Sequence, residues 1–167
     1  MTCLCQCLTS PGVRGALVGA GVFAFLYFLS FLILKPGNYR FHPPNRDSNG
    51  EQVEGYMSFE PIIARYHRLA EFVVGLATGS IVLLAGSSVI RSGGKVPWFY
   101  GSPLVLLAVS VVYAVLFMTL ISYNYEEWLY FGIYSHHRYR FSSALGFSAL
   151  LCFGVGYIWL AFQLVRA

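Results

Sequence analysis

Four long apolar runs decide what this chain of 167 residues can become. They are 15–34 (GALVGAGVFAFLYFLSFLIL), 70–90, 103–122 and 142–165. An apolar run of about 18 or more residues, coiled at helical rise, crosses a hydrocarbon core about 30 Å thick. Lipid offers no partner to a bare N–H or C=O, so each run is expected to be a helix that satisfies its own backbone. Arg14 and Lys35-Pro36-Gly37 bound the first run, Arg91 follows the second, and Arg166 closes the fourth. Gly101-Ser102-Pro103 opens the third, with Pro103 in a first turn where its missing N–H costs nothing. The first run is longer than the apolar core of about 7–15 residues of a cleaved leader, and no small-residue cleavage site follows it. It reads as a retained span.

Composition agrees. Charged residues make up 11% of the chain and hydrophobic residues 57%, with mean hydropathy +0.62. Soluble domains carry about 25% charge. The expected fold is an all-α integral membrane protein. It has one four-helix transmembrane domain over 15–167, preceded by a cysteine-rich tip at 1–14. The connections fall at 35–69, 91–102 and 123–141. No run of Lys and Arg is available to track a phosphate backbone, so nucleic acid is not an expected partner.

Four spans put both termini on one side. That side, with connection 91–102, holds Arg14, Arg91, Lys95 and Arg166 and no acid. The other side holds the remaining seven of the eleven Lys and Arg and all seven acids, counting Glu71 at the membrane edge. A raw count of basic residues favours that acidic side as cytoplasmic. Density is about equal, because its connections are longer. The terminal cysteines argue the other way, and the reading leans to cytoplasmic termini. Plasma membrane and endomembranes fit equally well.

Cys3, Cys5 and Cys7 alternate just before the first span. S-acylation (palmitoylation) acts on such cytoplasmic, membrane-proximal thiols and adds anchorage. Alternating thiolates also suit a soft metal ion, and a plain tip with free thiols is the third reading. Thr2 argues against myristoylation. Cys152 lies in an apolar run, so the cysteines do not form a disulfide framework.

Residues 35–57 are rich in Pro and Gly, with a turn at 47–50 (DSNG) suited to a small hairpin. From Ser58 and Pro61 onward the pattern predicts a single helix from about 59 to 91, standing out of the membrane before it enters. The segments 64–79 and 135–156 both run from a basic, aromatic, His-bearing stretch into a Gly-rich span. They hint at two similar hairpins, spans one–two and three–four.

The segment 123–141, YNYEEWLYFGIYSHHRYRF, concentrates polar chemistry in an apolar chain. His67 and Glu71 share a helix face at i, i+4. With Glu127 and one of His136 or His137 they have the chemistry of a metal site, or His67 and a second histidine that of a haem clasp. A membrane oxidoreductase would follow. The other reading is an aromatic collar at headgroup level. Trp128, Tyr130 and Tyr134 would lie at the interface, while Arg138 and Arg140 would meet lipid phosphates or stack on rings. No Asp, Glu, Lys, Arg or His lies in the central part of any run, which weakens both a mid-membrane haem and a transporter or channel subunit. The collar is the preferred reading, with no cofactor and no catalytic residue assigned.

Small residues recur at four-residue spacing: Gly15 and Gly19, Gly75 and Gly79, Ser142 and Gly146, Cys152 and Gly156. Such pairs let helices approach closely in lipid. The expected role is therefore a non-enzymatic accessory or scaffold subunit. It would pack against another membrane protein or its own copies, or organise lipids, with Trp128, Tyr130, Tyr134, Arg138 and Arg140 as contact residues.

Overall fold

The computed structural model describes residues 11–33, 60–86, 98–131 and 135–166, and over these the chain is helical, with no strand. The helices are α1 (Pro11–Ile33), α2 (Glu60–Gly86), α3 (Trp98–Phe131) and α4 (His136–Arg166). Pro11 and Pro61 stand at helix starts, where the backbone nitrogen needs no intrahelical partner. Ser135 precedes α4, and its carbonyl accepts the Tyr139 N–H at 3.1 Å. Three segments are long and apolar enough to cross a membrane: Ile63–Leu84, Tyr100–Phe131 and His136–Val165. This is compatible with an integral membrane protein. The apolar segment described in α1, Val13–Leu29, is shorter.

Three element boundaries differ from the sequence expectation: both ends of α3 and the start of α4. α3 begins at Trp98, so Pro103 lies inside the helix and removes one backbone hydrogen bond near its start. The segment 123–141 is not a connecting loop. Its residues 123–131 continue α3 and its residues 136–141 open α4. The reason is local: between Pro103 and Gly132 there is no Gly or Pro to stop the helix. At 34 residues α3 is about 51 Å long, well beyond a hydrocarbon core of about 30 Å. The turn at 47–50, the rest of 34–59, and 87–97 lie outside the described residues.

α3 is the central helix. It packs against α4 most extensively, and against α2 and α1; α4 also packs on α1. The α3–α4 pair is therefore the hairpin expected from sequence. Spans one and two do not form another, because α1 and α2 do not touch among the described residues. Contact levels give the directions. Gly15 faces Val105, Gly19 faces Val109 and Phe23 meets Tyr113, so α1 runs parallel to α3. Tyr66 meets Phe117 while Ala77 packs with Leu107 and Tyr100, so α2 runs antiparallel. Gly146 faces Phe117 and Gly156 faces Leu106, so α4 runs antiparallel as well. The result is an up-down-up-down arrangement.

Small side chains set the helix spacing. Ala70, Ala114 and Ala149 meet in one buried cluster, and Ala77, Tyr100, Leu107 and Leu160 in another. A Cβ on Gly19 would stand 2.8 Å from Val109 Cγ1, and one on Gly15 would stand 2.9 Å from Val105 Cγ1. Valine in a helix holds one χ1 rotamer and cannot swing aside. Gly75 and Gly79 face open space instead. We therefore expect Gly19→Leu to lower stability by about 1–3 kcal/mol through overpacking. Gly79→Leu should stay within about 0.5 kcal/mol of the parent, as for a surface change. Unfolding in mixed micelles, followed by tryptophan fluorescence, checks both.

Candidate functional site at the head of the α3–α4 hairpin

The continuation of α3 past Ser122 and the start of α4 place the charged and aromatic residues of 123–141 on two antiparallel helix ends. Polar ties join them. The Arg138 guanidinium donates to the Glu127 carboxylate in an ion pair. Arg138 also lies 5.9 Å from the Tyr123 ring centroid, in cation–π range. One turn lower, Asn124 Nδ2 donates to Ser142 Oγ at 3.0 Å, and that hydroxyl donates to the Arg138 carbonyl at 3.0 Å. α2 joins the network where His67 Nε2 and the Ser122 hydroxyl are hydrogen-bonded at 3.1 Å.

The proposed collar residues have separate fates. Tyr130 is exposed, as are Tyr123 and Phe131. Trp128 is half-buried and lies against Tyr125, with ring centroids 6.0 Å apart. Arg138 is half-exposed and paired. Arg140 departs from the sequence expectation. It is only 3% exposed and engaged within the protein, so it does not face lipid phosphates. The start of α4 places it on the inner side of the bundle, two residues from Arg138. Tyr134 lies outside the described residues, as do Cys3, Cys5 and Cys7.

The residues of the metal alternative are also spread out. His67 bonds Ser122, Glu127 pairs with Arg138, Glu71 and His137 are exposed, and His136 is half-buried. Among the described residues, no group of three or more His, Cys, Asp or Glu is placed to hold a metal ion. The small-residue pairs divide likewise. Gly15, Gly19, Gly146 and Gly156 each seat another helix, the last against Leu106 and the Pro103 carbonyl. Gly75 and Gly79 seat none.

Below the polar ties lies a feature the sequence reading missed. A groove of about 240 Å³ opens between α2 and α4, with α3 as its floor. Tyr66, Leu69 and Val73 line one wall, and Tyr139, Ser143 and Phe147 the other. Ala114, Phe117 and Ile121 form the floor. Its sequence signal is faint: Ala70, Ala114, Gly146 and Ala149 are small, but only helix register shows that they meet at one level. No protein-family model, no curated protein and no solved structure matches the chain.

The two interhelical ties should differ in strength. A double-mutant cycle on Asn124 and Ser142 should give a coupling of about 0.6 kcal/mol and no more than about 1.7, as for hydrogen bonds inside helical membrane proteins. That coupling should not change with salt. The cycle on Glu127 and Arg138 should give about 0.2–1 kcal/mol and shrink in high salt, because the pair is partly solvated. Unfolding in micelles at two ionic strengths measures both.

Proposed function

We propose that this chain is a four-span membrane protein acting as a non-enzymatic accessory or scaffold subunit, which packs through α2 against a partner membrane helix. The observation that carries the reading is the outer face of α2. Three small-residue faces, at Gly15 with Gly19, Gly146 and Gly156, are filled by neighbouring helices at close range. The remaining pair, Gly75 and Gly79, sits on an exposed strip with Phe72, Val82 and Leu83. Helical geometry puts that strip far around α2 from the side that meets α3. In lipid, such a strip gains little by facing acyl chains and gains close van der Waals contact by facing another helix.

The four-span reading is supported by the level of α1. It keeps pace with α3 from Gly15 beside Val105 to Phe23 beside Tyr113, and Tyr27 reaches Phe141 of α4. At 23 residues it is about 35 Å long, enough to cross with the others. Both termini then share one side, with the hairpin head on the other. Arg138 and Trp128 would add contacts at that head.

A photocrosslinking amino acid at Leu83, in native membranes, should capture a discrete protein adduct; the same probe at Ile158, exposed on α4, should not. Paired Gly75→Leu and Gly79→Leu changes should cut the adduct about tenfold, the effect of a loss near 1.4 kcal/mol. Equal capture at both sites, or capture untouched by the paired change, defeats the reading.

A further inference from the structure

We infer that the α2–α4 groove holds one acyl chain of a glycerophospholipid from the leaflet on the hairpin side, with the lipid phosphate met by Arg65. The site lies on a different face of α2 from Gly75 and Gly79 and stands independently of the partner proposal.

The groove is deepest where short residues line it, at Ala70, Ala114 and Ala149. Phe117 packs on Gly146 and meets Tyr66 edge-to-face at 6.0 Å, so these two rings border the space over Ala114. Leu69 and Phe147 form its lips and are exposed, so the opening faces sideways at the depth of the apolar runs. A chain enters from the bilayer without leaving it. The volume, about 240 Å³, falls below the roughly 300–1,000 Å³ of pockets that enclose whole ligands. It suits part of a flexible chain whose remainder stays in the leaflet.

Polarity is graded along the groove. At the deep end, by Val73 and Leu150, it is apolar. The Tyr66, Tyr139 and Ser143 hydroxyls lie at the other end, towards the His67–Ser122 and Asn124–Ser142 bonds. No lining residue is charged, so the groove itself takes an uncharged chain. Its mouth is basic. Arg65 adjoins Tyr66, one helical turn before Leu69, and is exposed with no acid paired to it among the described residues. Glu71 follows Tyr66 by five residues and so points about 140° away around the helix. The anion a bilayer supplies at this level is the lipid phosphate, and exposed arginine binds it through planar, charge-assisted hydrogen bonds.

The test uses the full chain, reconstituted with phosphatidylglycerol, phosphatidylcholine and cholesterol, then washed extensively in detergent. Native mass spectrometry and phosphorus content read the retained lipid. One phospholipid per chain is expected, enriched in phosphatidylglycerol. Ser143→Phe, which fills the groove, should lose most of it, while Ile158→Phe on the outer face of α4 should keep it. Arg65→Gln alters an exposed residue and therefore leaves the fold intact; it should abolish the enrichment in phosphatidylglycerol. If Ser143→Phe does not fold, as judged by circular dichroism, Arg65→Gln still decides. The proposal is overturned if no phospholipid is retained, if cholesterol is retained in its place, if folded Ser143→Phe keeps as much as the parent, or if Arg65→Gln keeps the enrichment.

Discussion

The fold depends on how near other backbones can come to α3. Gly15 and Gly19 bring α1 against Val105 and Val109, and Gly146 and Gly156 bring α4 against Phe117 and Leu106. In each case a missing side chain is what permits the contact. Helices in lipid have little hydrophobic drive to associate, because acyl chains are as apolar as leucine. Close dispersion contact over a long surface must supply the attraction instead. A methyl group at Gly19 would push α1 away from α3 along its length.

α2 is built differently, and both proposed activities come from that difference. It meets α3 through Ala70 and Ala77 and barely reaches α4, so a groove opens on one side. On the other side its glycines remain uncovered. The peripheral helix of the bundle thus carries two unfilled surfaces, a concave one with hydroxyls and arginine at its mouth and a flat one with no polar group to satisfy. Their chemistry separates their occupants. The first matches an amphiphile and the second a helix.

The polar head of the hairpin ties these parts together. His67–Ser122 joins α2 to α3, and Asn124–Ser142 joins α3 to α4. Both lie where α3 leaves the apolar zone, so the three helices that form the groove are held at one level at its mouth. Arg138 and Glu127 extend the clasp outward, in a position where water and salt weaken it. The histidine that suggested a ligand from its i, i+4 partner Glu71 is occupied instead by a hydroxyl of the next helix.

Chain order alone determined the helices. The existence of the four helices, and the compatibility of the three longest apolar segments with a membrane, follow from the apolar runs, because a helix satisfies its backbone within itself and needs no knowledge of its neighbours. The aromatic and charged nature of 123–141 was equally plain. Its helicity could also have been read from the lack of any Gly or Pro between Pro103 and Gly132. Which glycine pair is filled, why Arg140 is buried while Arg138 is not, and that Ala70, Ala114 and Ala149 line a common groove were decided by tertiary structure. Each depends on the rotation and level of one helix against another, and these are set by side chains far apart in the chain. Gly15–Gly19 and Gly75–Gly79 look alike as sequence; only the packing of α1 and α2 on α3 tells the filled pair from the open one.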